Sequence, residues 1–385
     1  MRIPVTLVTG FLGSGKTTLV NKLLKLDAMP EAIIIVNEFG EISIDSDLMV
    51  ESSDNIVQLS NGCLCCSVKG ELIDTFRDLT IKRLGHIIPK FNRVLIETTG
   101  VADPRPVLDL ILSNPMIRDR YVLDGVIATF DAINGPDALM NFPESVHQIA
   151  SADCVVITKS DLLGSPSEGI ATLENEIRAF NPSAKIILGN VATSEPDQLF
   201  GLGLLNVKQE VDRNDSQWII PEQYDLTKSR ASQKSIGTRK SFGEVSKIYQ
   251  MQSHAGGDTH AHHHGDIQSV CFVREKPIPQ ILLEHFLEGL SRAFSDNLLR
   301  VKGFVCTLEH PETPAVIQGA QKLVHALEWL PSWPTTDRRT RIVFIGRGIQ
   351  LDEIEESFSL IERVVSRTRS VQLGNGSQQL GADNV

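Results

Sequence analysis

Gly10-Phe11-Leu12-Gly13-Ser14-Gly15-Lys16-Thr17 follows an apolar run at 3–8 and precedes a stretch whose Leu19, Leu23, Leu24 and Leu26 fall mostly on one helical face. The octet satisfies G-x-x-x-x-G-K-[ST] at every fixed position. Between a buried strand and a helix start, such glycines let backbone N–H groups turn inward on phosphate oxygens, and the helix N-terminus adds partial positive charge. Gly10, Gly13, Ser14, Gly15, Lys16, Thr17 and Thr18 are therefore candidate nucleotide-binding residues. Lys16 is expected to reach the β- and γ-phosphates, and Thr17 to ligate Mg²⁺. The bland alternative is a glycine turn that holds no ligand.

Working outward, short apolar runs at 32–36, 93–96, 126–130, 154–157 and 186–188 alternate with amphipathic stretches. Strand-helix alternation of this kind predicts an α/β fold, a P-loop NTPase with a doubly wound, mostly parallel sheet that binds ligands at the carboxyl ends of its strands. At 385 residues the chain exceeds what one core usually supports, which favours two domains. We place the P-loop domain at 1–215, a polar His-rich linker at 216–266, a smaller mixed α/β domain at 267–366 and a flexible tail at 367–385. In the smaller domain, strands are expected near 269–273, 298–308 and 341–345, and helices at 279–294 and 352–365.

Three further elements continue the nucleotide site. Arg93-Val94-Leu95-Ile96-Glu97-Thr98-Thr99-Gly100 puts Glu97 at a strand end, where it can hold Mg²⁺ directly or through water, and Gly100 can donate its N–H to a γ-phosphate. A plain surface carboxylate is the competing reading. Thr158-Lys159-Ser160-Asp161 also follows a buried strand. Asp161 can accept from guanine N1–H and N2–H₂, and the Lys159 stem can lie along the base. The common guanine motif is Asn-Lys-x-Asp, so Thr158 costs one carboxamide interaction, and preference for GTP over ATP rests mainly on Asp161. Glu38 and Asp45, in Val36-Asn37-Glu38-Phe39-Gly40-Glu41-Ile42-Ser43-Ile44-Asp45, could sense Mg²⁺ or the γ-phosphate, unless that loop is merely acidic and solvated.

A second kind of chemistry enters at Asn61-Gly62-Cys63-Leu64-Cys65-Cys66. Thiolates bind Zn²⁺, Co²⁺ and Cu⁺ well, but three cysteines within four residues are too close for the usual C-x-x-C knuckle. Two or three of them could ligate one metal, with Glu41 completing the site or a position left for the recipient. Redox chemistry and a packed reduced turn are the alternatives. His254, His260, His262, His263 and His264 make half of the ten histidines and form an auxiliary metal candidate, against a purely solvated linker. The remaining cysteines, Cys154, Cys271 and Cys306, sit in apolar runs and read as buried filler.

The composition is 41% hydrophobic and 22% charged, as in ordinary globular proteins. A net charge of −11 disfavours nucleic acid as a partner. No apolar run reaches the roughly 18–20 residues of a membrane span, and the first residues leave no room for a secretory signal. A cytoplasmic protein without a membrane partner is expected.

In this order, the glycine loop, Asn37-Glu38-Phe39-Gly40, Cys63-Leu64-Cys65-Cys66, Glu97-Thr98-Thr99-Gly100 and Thr158-Lys159-Ser160-Asp161 resemble the GTPase domain of the CobW-type metallochaperone family. The His-rich linker, Arg300-Val301-Lys302-Gly303 and Asp337-Arg338-Arg339-Thr340-Arg341-Ile342-Val343-Phe344-Ile345-Gly346-Arg347 look like the rest of such a chain. The resemblance implies slow GTP hydrolysis, with Lys16, Thr17 and Glu97 catalytic, coupled to delivery of Zn²⁺ or Co²⁺ to a client protein or a cobalamin-pathway enzyme. Metal would be held by the Cys motif, and the protein would be a monomer or a metal-dependent homo-oligomer. A P-loop small-molecule kinase and a non-catalytic metal store or sensor are the rival functions.

Overall fold

The computed structural model describes residues 2–24, 31–36, 56–58, 67–164, 166–203, 249–252, 267–294, 297–320, 323–324 and 327–376. Its first sheet has seven strands: β1 (Ile3–Gly10), β2 (Ala32–Val36), β3 (Ile56–Gln58), β4 (Arg93–Glu97), β5 (Tyr121–Asp131), β6 (Cys154–Thr158) and β7 (Lys185–Leu188), in the order β3-β2-β4-β1-β5-β6-β7. Every neighbouring pair is parallel. Parallel strands are covered on both faces, and β2 accordingly reads Ala-Ile-Ile-Ile-Val with every residue buried.

Register aligns the strand ends. Val36 pairs with both Gln58 and Glu97, Gly10 with Thr129, and Asp131 with Thr158. The candidate nucleotide residues therefore share one rim, at the carboxyl ends of the strands. The helices of this half are α1 (Lys16–Leu24), α2 (Ser67–Leu84), α3 (Arg105–Ser113), α4 (Pro115–Arg120), α5 (Gly135–Asn141), α6 (Pro143–Ser151), α7 (Pro166–Phe180) and α8 (Gly189–Ser194).

The second sheet comprises β8 (Tyr249–Gln252), β9 (Ile267–Arg274), β10 (Leu298–Val305), β11 (Ala315–Ala320), β12 (Leu323–Val324), β13 (Glu328–Trp329) and β14 (Thr340–Arg347). It is antiparallel, ordered β12-β11-β10-β14-β9-β8, with β13 also on β11. One face packs on α9 (Gln280–Phe294) and α10 (Leu351–Gly376), through Phe272, Phe286 and Phe358. The other meets the first half: Cys271, Val273, Leu299, Val343 and Ile345 join Val146, Ile149, Leu173 and Ile177 in one apolar cluster. Helix α6 is consequently buried at every residue from Ser145 to Ser151.

Three elements depart from expectation. Strand β8 lies inside the stretch assigned to the linker, adding an edge strand that pairs Tyr249 with Cys271. Helix α10 continues to Gly376, past the expected end near residue 365 and into the stretch assigned to the tail. The added residues contain no proline, and only Gly374 and Gly376 supply a stop. Strand β5 starts at Tyr121 rather than at 126, because Tyr121, Leu123 and the charged Asp124 are all buried.

Candidate functional site

The loop after β1 is wound as an anion cradle. Gly10, Gly13 and Gly15 take φ values of 141°, 70° and 89°, which side chains other than hydrogen rarely allow. At Gly10 a Cβ would also lie 2.3 Å from Thr129 Oγ1 and 2.6 Å from its carbonyl oxygen. Ser14 Oγ donates to Phe11 O (2.7 Å) and sits 2.6 Å from Thr129 Oγ1, which fixes the loop against β5. Lys16 is buried, and its ammonium donates to Gly10 O and Phe11 O at 3.0 and 3.2 Å. Its charge is thereby held inside the curve of the loop. Thr18, by contrast, is exposed.

Thr17, the second residue of α1, donates from Oγ1 to Glu97 Oε1 at 2.6 Å. Glu97 ends β4 and is buried. A hydroxyl and a carboxylate side by side at the mouth of an anion cradle form a hard-oxygen pair, and that donor chemistry fits Mg²⁺. Gly100 lies directly under the loop: a Cβ there would meet the Leu12 N and Cα at 2.8 and 2.7 Å. The backbone three residues after Glu97 thus touches the phosphate loop.

At the end of β6, Thr158 Oγ1 donates to Ser14 O (2.7 Å) and Phe130 O (3.2 Å). Beyond costing the base a carboxamide, Thr158 thus ties β6 to the phosphate loop and to β5 through its hydroxyl. Lys159 adopts a left-handed backbone, φ 55°, and its ammonium pairs with Asp131 Oδ2 at 2.7 Å. Burial would raise the Asp131 carboxyl, but hydrogen bonds from Lys159, Asn134 and two backbone N–H groups outweigh it and hold it low. Asp161 stands exposed beyond this pair.

The structure therefore gathers Gly10, Gly13, Ser14, Gly15, Lys16, Thr17, Glu97, Gly100, Thr158, Lys159 and Asp161 on one rim. Glu38, Glu41, Asp45, Cys63, Cys65, Cys66, His254, His260, His262, His263 and His264 lie outside the described residues. The described chain leaves the same rim at Val36 and Gln58 and resumes with α2 at Ser67. Cys154, Cys271 and Cys306 are buried, and burial pushes the Cys154 thiol up to about 12.

The sequence matches a family model described as the CobW/HypB/UreG nucleotide-binding domain over residues 4–188, and the cobalamin synthesis protein cobW C-terminal domain over 267–361. The zinc chaperone YjiA of Escherichia coli is 31% identical over 357 residues, covering 93% of this chain and 98% of that protein. The chain belongs to the CobW family. The zinc chaperone CobW of Pseudomonas aeruginosa is 33% identical over 214 residues, spanning 48% of this chain and 55% of its own. Among solved structures, a Zn(II)-bound triple mutant of the YjiA GTPase superposes with a TM-score of 0.62 at 25% identity, covering 94% of this chain and 99% of the other.

Several polar residues of this CobW-family chain gave no local signal in the sequence. Asp153 is buried; its carboxylate accepts from Val126 N at 2.7 Å and meets both Arg300 and Lys302 of β10. The Arg-Val-Lys-Gly motif is thus a clamp between the two halves. Burial pushes the Lys302 ammonium down to about 7. Also at the amino end of its strand, Arg2 holds Glu328 of β13 through two hydrogen bonds, at 2.6 and 3.1 Å. Among the described residues, no helix is long and apolar enough to cross a membrane.

Proposed function

We propose that this chain is a GTPase that loads Zn²⁺ or Co²⁺ at Cys63, Cys65 and Cys66, with Glu41 as a further ligand, and passes it to a client protein. The observation that carries the nucleotide half is the Thr17–Glu97 hydrogen bond at the mouth of a loop that encloses the Lys16 ammonium. Thr17 and Glu97 would hold Mg²⁺, which neutralises charge on the β- and γ-phosphate oxygens. The loop N–H groups and Lys16 hold the phosphates in line while water adds to the γ-phosphorus and GDP departs with the bridging oxygen. Asp161 reads the guanine edge, and the Asp131 contact sets where the Lys159 stem runs.

The metal half is supported by the zinc chaperones among the relatives and by where the described chain leaves and re-enters around the Cys motif. Val36, Gln58 and Glu97 are register neighbours, so both segments bearing candidate metal ligands depart beside the Mg²⁺ candidate. Binding at two such sites is reciprocal: if GTP tightens metal binding, metal tightens GTP binding by the same factor. Metal titrations of the wild type and Cys65→Ser, each with and without Mg²⁺-GTP, test the coupling. Equal affinities in all four would overturn it. Deleting residues 253–265 should leave the tight site intact, because the His cluster serves only as an auxiliary store.

A further inference from the structure

Helix α6 is enclosed by both halves of the molecule, yet it carries His147 and Gln148, both buried. Polar groups in such a place cost stability unless their hydrogen bonds are made, so where those bonds go defines what the residues are for. Gln148 Nε2 donates to Gly100 O at 3.1 Å and to Ala102 O at 3.0 Å. His147 Nδ1 lies 3.3 Å from Asp103 Oδ2, and its Nε2 lies 2.9 Å from a guanidinium nitrogen of Arg347. Arg347 closes β14, in the C-terminal domain.

Arginine can only donate, so Nε2 of a neutral ring accepts from Arg347 and leaves its proton on Nδ1 facing Asp103; the Arg105 guanidinium, 3.4 Å from that same nitrogen, is taken up by the carboxylate. The Arg105 guanidinium pairs with the same carboxylate, and the Arg105 backbone N–H donates to Asp103 Oδ1 at 3.0 Å at the start of α3. One helix turn thus holds three successive points of the segment after β4: the carbonyls of Gly100 and Ala102 and the side chain of Asp103. Gly100 is the residue packed against Leu12 of the phosphate loop. An ordinary buried histidine needs only to satisfy its two nitrogens. Here one nitrogen takes the segment behind Glu97 and the other takes the second domain.

We propose that His147 is a positioning residue that sets the Gly100–Asp103 segment against the phosphate loop, and that Arg347 makes the C-terminal domain a determinant of how the site distinguishes GTP from GDP. The inference rests on the nucleotide reading given above. In that reading the Gly100 N–H faces the γ-phosphate, so a segment that shifts by a fraction of an ångström weakens a contact that GDP does not make. Histidine is a suitable coupler because its rigid ring fixes the distance between donor and acceptor sides. Glutamine can reproduce the accept-and-donate pattern, whereas alanine cannot.

The test measures affinities for fluorescent GDP and a fluorescent non-hydrolysable GTP analogue, both with Mg²⁺, for the full-length wild type, Arg347→Ala, His147→Ala and His147→Gln. The expected result is a fall of about fivefold or more in the ratio of analogue to GDP affinity for Arg347→Ala and His147→Ala, with recovery in His147→Gln. Arg347 is exposed at its strand end, so Arg347→Ala carries the test even if His147→Ala fails to fold, as judged by circular dichroism. An unchanged ratio in Arg347→Ala overturns the inference while leaving the nucleotide reading intact. A wild type that binds neither nucleotide overturns both.

Discussion

Oγ1 of Thr17 and Oε1 of Glu97 lie 2.6 Å apart although 80 positions separate them in the chain. The contact exists because β1 and β4 are parallel neighbours with Val8 opposite Glu97, so the start of α1 and the end of β4 reach the same height. Two oxygen ligands delivered by two different elements form a cation site only if the sheet register holds. The geometry of the sheet and the chemistry at its rim are one property here.

Replacing Glu97 by glutamine keeps the shape of this pair and removes its charge. Nucleotide affinity with Mg²⁺ should drop about 10–100-fold, while affinity measured with EDTA should hardly change. Equal losses under both conditions would show that Glu97 acts on the fold rather than on the cation.

Thr158→Val deletes the donor to Ser14 O and Phe130 O without changing side-chain size. The expected cost is about 1 kcal/mol in urea unfolding, together with weaker nucleotide binding, since the phosphate loop loses its tie to β6. Thr158→Asn should sharpen preference for GTP over ATP by supplying the absent carboxamide. If both variants bind the two nucleotides like the wild type, Thr158 is a packing residue alone.

Asp153→Asn leaves Arg300 and Lys302 facing each other in the interior without a carboxylate. A loss of about 3–5 kcal/mol follows for a buried pair broken on one side. Lys302→Met removes one of the two cations and leaves Asp153 with Arg300, so its cost should be smaller. Urea midpoints of the two variants, ranked in the opposite order, would refute the clamp.

Burial alone would raise the Asp103 carboxyl, but hydrogen bonds from His147 and Arg105 prevail and hold it far below the usual carboxylate range. A group with a depressed folded pKa stabilises above its unfolded value, about 3.9, and that contribution is lost as pH falls through the folded value. Between pH 6 and pH 3 the urea midpoint of the wild type should therefore fall more steeply than that of Asp103→Asn. Parallel slopes would mean that Asp103 does not differ between the folded and unfolded chain.

The P-loop fold was legible because its signals are local: a glycine loop between an apolar strand and an amphipathic helix needs no distant partner to be read. Glu97 could be found for the same reason, as an acid ending an apolar run. Asp153 could not. Its meaning lies in Arg300, 147 positions away, and nothing within ten residues marks it. Thr158 was read only against the base, because a hydroxyl that donates to the carbonyl of Ser14 leaves no trace in the spacing. His147 has no local mark either, because its burial comes from the second sheet, far along the chain, packing over α6. Strand β3 has only three residues, too few for a period, and exists because β2 offers it an edge.

The enclosure of α6 bears on how this molecule comes apart. Its apolar residues are shared between the P-loop half and the antiparallel half, with Val146 and Ile149 in one cluster with Val273 and Val343. A chain shortened to its first 215 residues would have to hydrate that face, and the remaining half would have to hydrate the complement. Each half also has an apolar core of its own, but the shared cluster couples them, so heating should melt the two together in a single calorimetric transition rather than in two. The two activities assigned to this chain would then be gained and lost as one cooperative unit.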